Sequence, residues 1–97
     1  MDKFVKQENE KFTIQINFTN ILTEDESISS YTLSAINNST LADVESTIID
    51  SSSLSNDIVY IKVKGGTNGT TYKLTILGTS SIDNVYEKDL LMEIVNL

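Results

Sequence analysis

Two clusters in this chain carry residue types able to hold a ligand. Gly65-Gly66-Thr67-Asn68-Gly69 is the kind of loop whose bare backbone amides can cradle a phosphate, and Thr23-Glu24-Asp25-Glu26 offers the oxygen ligands a calcium ion prefers. Neither completes its motif. A phosphate loop closes with a Lys-Ser/Thr pair and hands over to a helix that aims amides at the anion, whereas here Tyr72-Lys73-Leu74-Thr75-Ile76 alternates as a strand. The acidic run lacks the fixed ligand spacing of a calcium loop. The glycines therefore read as turn residues, and neither a metal nor a cofactor is expected.

The remaining chemistry is thin. The chain has no Cys, so no disulfide, thiolate nucleophile or zinc-thiolate site, and no His, which removes the usual base near neutral pH. Arg, Trp and Pro are also missing, so no bidentate guanidinium clamp exists for carboxylate or phosphate. Ser, Lys, Asp and Glu remain, without the activating neighbours a catalyst needs, and the chain is expected not to be an enzyme. A net charge of −7 with no Arg argues against nucleic acid and against anionic membrane surfaces. It fits solubility, or an acidic face for a basic partner. Matches to the glycosylation pattern at Asn17, Asn37, Asn38 and Asn68 are what so Asn-, Ser- and Thr-rich a chain produces by chance. Residues 1–10 hold no apolar signal core, and the missing cysteines agree with folding in a reducing cytoplasm.

The elements that must carry these residues follow from alternation. Lys11 to Phe18 puts Phe12, Ile14, Ile16 and Phe18 on one face, the pattern of a half-buried strand. Ile58 to Lys64 turns Val59, Ile61 and Val63 inward and Tyr60 and Lys62 outward. Tyr72, Leu74 and Ile76 continue the core beyond the glycines. Tyr86, Leu90, Met92 and Ile94 share one face of a last strand, with Lys88 an intruder at a bulge or beyond the core edge. Ser27 to Ile36 reads as a strand with Tyr31, Leu33 and Ala35 inward, where the parity of Ile28 calls for a bulge or a late start. Val44 to Asp50 reads as another strand, and Lys3 to Lys6 as a short edge strand. Loops are expected at Thr19–Glu26, Asn37–Asp43, Ser51–Asp57 and Gly78–Asn84, each rich in residues that bond to their own backbone. At 97 residues the chain supports one modest core.

About seven strands at this spacing predict an all-β fold, an immunoglobulin-like or fibronectin III-like antiparallel β-sandwich, as a single domain over residues 1–97. Within it, Gly65, Gly66 and Gly69 form the turn between two late strands. Tyr72 just past the turn reads as a tyrosine corner, its hydroxyl bonded to nearby backbone. Lys62, Lys64 and Lys73 are candidates for a basic stripe on an outer sheet face, and together with Tyr60 for partner contact.

On these residues the chain resembles a family of small Ig-like fibre–tail adaptor proteins of tailed bacteriophages. The resemblance is carried by Lys6-Gln7-Glu8-Asn9-Glu10-Lys11-Phe12, Ile28-Ser29-Ser30-Tyr31-Thr32-Leu33, Val59-Tyr60-Ile61 and the run from Gly65 to Thr75, in order from about residue 5 to 96. Its most specific piece is Gly-Gly-Thr-x-Gly-x-x-Tyr after an alternating strand. The chain departs from the family in having no Trp near Phe18 and Tyr60 and no Gly in Ser81-Ile82-Asp83-Asn84. The resemblance implies a non-enzymatic virion protein made in the bacterial host cytoplasm. It would connect tail, neck or fibre proteins, in multiple copies within a symmetric assembly. The alternative class is a bacterial Ig-like adhesive or carbohydrate-binding surface module, for which Tyr60 is the one aromatic candidate. Ig-like inhibitors of cysteine proteases bear Trp and Pro loops that have no counterpart here.

Overall fold

The computed structural model describes residues 2–97. Seven strands and one helical turn follow in the order β1 (Asp2–Lys6), β2 (Phe12–Asn17), β3 (Ile28–Asn37), α1 (Glu45–Ile48), β4 (Ile49–Ser55), β5 (Ile58–Val63), β6 (Thr71–Ser80) and β7 (Val85–Ile94). They form two sheets, β1-β7-β6-β3 and β2-β5-β4, packed as a sandwich. The sheets thus divide as the B, E, D and C, F, G strands of an immunoglobulin domain do. The first strand joins the last, β7, instead of lying beside β2. That β1–β7 pair is parallel, while every other pairing is antiparallel.

The core is made of the inward residues of both sheets. Ile16, Phe18, Val59, Ile61 and Val63 face Ala35, Tyr72, Leu74, Ile76, Leu90, Met92 and Ile94, all buried. Each large side chain removed from water in this way contributes about 1.5–3 kcal/mol. Phe18 reaches across to β6, where Gly78 makes room: a Cβ there would stand 3.3 Å from the Phe18 ring and 3.2 Å from Ile28. The bulge expected around Ile28 exists, since the β3–β6 register shifts between Ile28 and Ser30 and Ile28 is buried.

Three expectations are corrected. Val44 to Ile48 is a helical turn and not a strand, because here the chain crosses from β3 to the other sheet. Thr47 and Ile48 donate their amides to the Val44 carbonyl, which keeps the backbone bonded through the crossing, and Ile48 is carried into the core. Ser51 to Ser55 is strand and not loop. Ser51, Ser53 and Ser55 alternate onto the solvent face of edge strand β4, Ser52 takes the parity of Leu54 and shares a hydrogen bond with the Tyr31 hydroxyl, and the strand pairs with β5 as far as Ser55↔Ile58. Ladder bonds with a neighbouring strand thus outweigh the local bonding that serine prefers. The hairpin between them turns at Asn56 and Asp57, both with positive φ, as a tight two-residue turn requires. Lys88, finally, sits at no bulge. The β6–β7 register is unbroken, and Lys88 lies inward opposite Ile76 with its ammonium 5.9 Å from the centre of the Phe18 ring. β6 also takes in the first three residues of the expected loop, Gly78 to Ser80.

Ile61→Asp would bury an unpaired carboxylate in the middle of β5 and is expected to abolish the folded state, a cost comparable to the entire stability of roughly 5–15 kcal/mol of such a domain. Lys62→Asp, one residue away on the exposed face, is expected to leave the far-UV spectrum and thermal midpoint within error of wild type. A folded Ile61→Asp protein would refute this assignment of faces.

Candidate functional site

The link from β5 to β6 leaves one sheet and enters the other, and its residues are shaped by that step. Gly65, Gly66 and Gly69 all have positive φ. At Gly66 the demand is double, since a Cβ would come within 2.7 Å of the Ile94 side chain. Past the link, Tyr72 is buried and its hydroxyl accepts the Thr67 amide at 3.1 Å. Gly69 N–H donates to the Ile94 carbonyl, and Ile94 N–H to that of Thr70, so the link is stitched to the end of β7.

Beneath it lies a residue whose role was not anticipated. The Lys6 side chain is fully buried, and its ammonium donates to the carbonyls of Gly65 (2.6 Å), Gln7 (2.7 Å) and Glu8 (3.3 Å). Burial lowers its pKa, and the nearby Glu10 and Glu8 carboxylates act against that shift. The available signal was parity, for Lys6 falls on the same inward face of β1 as Phe4, which packs edge-on against Phe12 at 6.1 Å. Nearby, Asn96 and Glu8 exchange two hydrogen bonds, one from each residue, and so join the two ends of the chain.

At the opposite end, one residue of the acidic loop that suggested a cation turns inward, while Glu24 and Asp25 stay exposed. Glu26 is buried and accepts from the Thr23 amide, from the Tyr86 hydroxyl and from Asn84 Nδ2. The Ser80 hydroxyl beside it, the Thr23 amide, Tyr86 and Asn84 hold its carboxyl at about 2, against the upward push of burial. Among the described residues no acidic group of three comes together to hold a metal. The Thr-x-x-Glu spacing from Thr23 to Glu26, in which the Glu reaches back to the Thr amide, could have announced this closed turn. Asp57 completes the frame. Its side chain accepts the Ile28 amide at 2.8 Å and its carbonyl the Phe18 amide at 3.0 Å. Ser81 N–H donates to the Ser27 carbonyl at 2.7 Å. The loops 18–27, 56–57 and 81–84 are thereby fastened into one end of the sandwich, which exposes Ile21, Ile82 and Val85.

The candidate contact residues are divided by the topology. Tyr60 and Lys62 project from β5 on the outer face of the three-stranded sheet, between Gln15 and Thr13 on β2 and Ser53 and Ser51 on β4. Lys64 follows at the strand end, its amide bonded to the Ile48 carbonyl. Lys73 lies on β6 in the other sheet, so the three lysines form no common stripe. The reason is the glycine link, which moves the chain to the opposite layer between Lys64 and Lys73. On the outer side of β7, Glu87 and Asp89 stand two residues apart, and the hydrogen bond and charge of Asp89 raise the Glu87 pKa. No helix among the described residues is long and apolar enough to cross a membrane.

Residues 6–93 match the family described as Podophage GP4 fiber-tail adaptor protein gp77. No curated protein matches the chain.

Two measurements probe this framework. Because the Glu26 pKa is depressed to about 2, its stabilisation is complete above the ordinary carboxylate range and is lost as pH falls from about 4.5 towards 2. Glu26→Gln is therefore expected to lower the stability at pH 7 and to flatten its fall between those pH values; a profile parallel to wild type would contradict the network. In urea, Gly66→Ala is expected to cost about 2–4 kcal/mol, from overpacking plus positive φ, and Gly69→Ala only about 1–2 kcal/mol, from φ alone. Equal losses would mean that the contact with Ile94 carries no weight.

Proposed function

The chain belongs to the podophage fibre–tail adaptor family, and we propose that it serves as a non-enzymatic connector, bridging a tail component and a fibre component of the particle through separate protein-contacting surfaces. The observation that carries this reading is the extent of the family match, which takes in nearly every strand of the sandwich. The architecture supports it. Hydrogen-bonded stitching at both ends of the sandwich gives a body that transmits position between two neighbours, in keeping with the rule that docking surfaces cost less to use when they are ordered beforehand. One surface is the loop end with Ile21, Ile82 and Val85, whose apolar tips suit burial in an interface. Another is the outer face around Tyr60 and Lys62, an amphipathic aromatic and a cation amid small polar side chains. Copies repeated around a symmetric tail would make small contacts sufficient, since linked weak contacts add through avidity. Assembly into virions would follow synthesis in the host cytoplasm.

Lysate from the source phage or prophage, separated on a density gradient and probed with antibody to this chain, is expected to show it sedimenting with tailed particles. Recovery only in soluble or envelope fractions would sink the connector reading.

A further inference from the structure

Two strand registers fix the outer face of the three-stranded sheet. Tyr60 of β5 stands at its centre, between Gln15 on β2 and Ser53 on β4. One row towards the glycine link, Lys62 lies between Thr13 and Ser51. One row the other way, Ile58 lies between Asn17 and Ser55. None of these positions carries a carboxylate, in a chain whose 14 acidic residues outnumber its 7 lysines. Because β5 is paired on both sides, the face meets a partner through side chains alone.

Near the glycine link this face is positive. Lys64 continues the parity of β5, and Lys11, just before β2, reaches across β5 to Asp50 on β4 at 3.5 Å. That pair cancels its own charge, whereas neither Lys62 nor Lys64 has a salt bridge among the described residues. An aromatic ringed by small polar neighbours is the usual form of an interface anchor. Tyr60 and Ile58 ask for apolar contact, and the two unpaired ammonium groups beside them ask for carboxylates. A protein surface supplies both within the area of the sheet. A long phosphate polymer would overrun the sheet and meet the carboxylates behind the net charge of −7.

We propose that the outer face of the β2-β5-β4 sheet docks an acidic surface of a neighbouring particle protein. Tyr60 is its apolar anchor, and Lys62 and Lys64 receive Asp or Glu side chains. The proposal rests on the connector reading and names the chemistry of one of its partners.

Two lysine-directed reagents test this on the isolated chain and on intact particles, with mass spectrometry as the readout. One acetylates amines; the other, a carbodiimide, couples a lysine directly to a carboxylate it touches. Lys62 and Lys64 are expected to acetylate at least about tenfold more slowly in the particle, where the contact must open before they react. The carbodiimide is expected to join them to Asp or Glu residues of a different protein. Lys62→Asp, a change that the fold accommodates, is expected to enter particles about tenfold less well. Equal lysine reactivity in both samples, or undiminished uptake of Lys62→Asp, would overturn the proposal and leave the connector reading standing. Slower acetylation without a coupled protein carboxylate would assign the face to a phosphate-bearing polymer, and coupling between two copies of the chain would assign it to self-assembly. Either result would overturn the proposal too. A chain missing from particles altogether would instead overturn the reading beneath it.

Discussion

Burial of the Lys6 ammonium against three carbonyl oxygens is the interaction on which the lower half of this sandwich depends. It joins the end of β1 and the turn that follows it to the glycine link between β5 and β6, 59 residues further along the chain. An ammonium removed from water is tolerated only where oxygen atoms replace its hydration, and main-chain carbonyls do so without adding further charge. With that contact in place the first strand can lie beside the last, the glycine link can press against Ile94, and Tyr72 can close the corner from within. The positive φ values at Gly65 and Gly66 are the backbone counterpart of the same constraint, for they aim the Gly65 carbonyl at the lysine while admitting the Ile94 side chain.

The upper half relies on a carboxylate in the same manner. Glu26 gathers donors from its own turn and from β7, while Asp57 holds the amides at which β2 ends and β3 begins. One buried cation and one buried anion, each satisfied locally and far from the other, fasten the two ends of a small hydrophobic core. The surface ion pairs, Lys3–Glu93 and Lys11–Asp50, are solvent-accessible and contribute little by comparison.

Much of the architecture was legible from local pattern. Phe12, Ile14, Ile16 and Phe18 alternate so regularly that their strand and its inward face follow directly, and the same holds for Val59, Ile61 and Val63. Ile28 announced its bulge by falling on the wrong parity. Illegible were the stretches where local preference and tertiary demand diverge. Ser51 to Ser55 looks like loop by composition and becomes strand because β5 lies beside it. Val44 to Ile48 looks like strand and becomes a helical turn because the chain must change sheets there.

The amino-acid sequence alone therefore determined the period of the strands, the places where glycine must stand and the all-β class, since alternation and positive φ are properties of neighbouring residues. Which strands share a sheet was decided only by the tertiary structure. So was the parting of Lys62 from Lys73, and so was the withdrawal of Lys6 and Glu26 from solvent. The physical reason is one of range. A side chain's direction is set by its own backbone, but its pairing and burial depend on segments tens of residues away that only folding brings together.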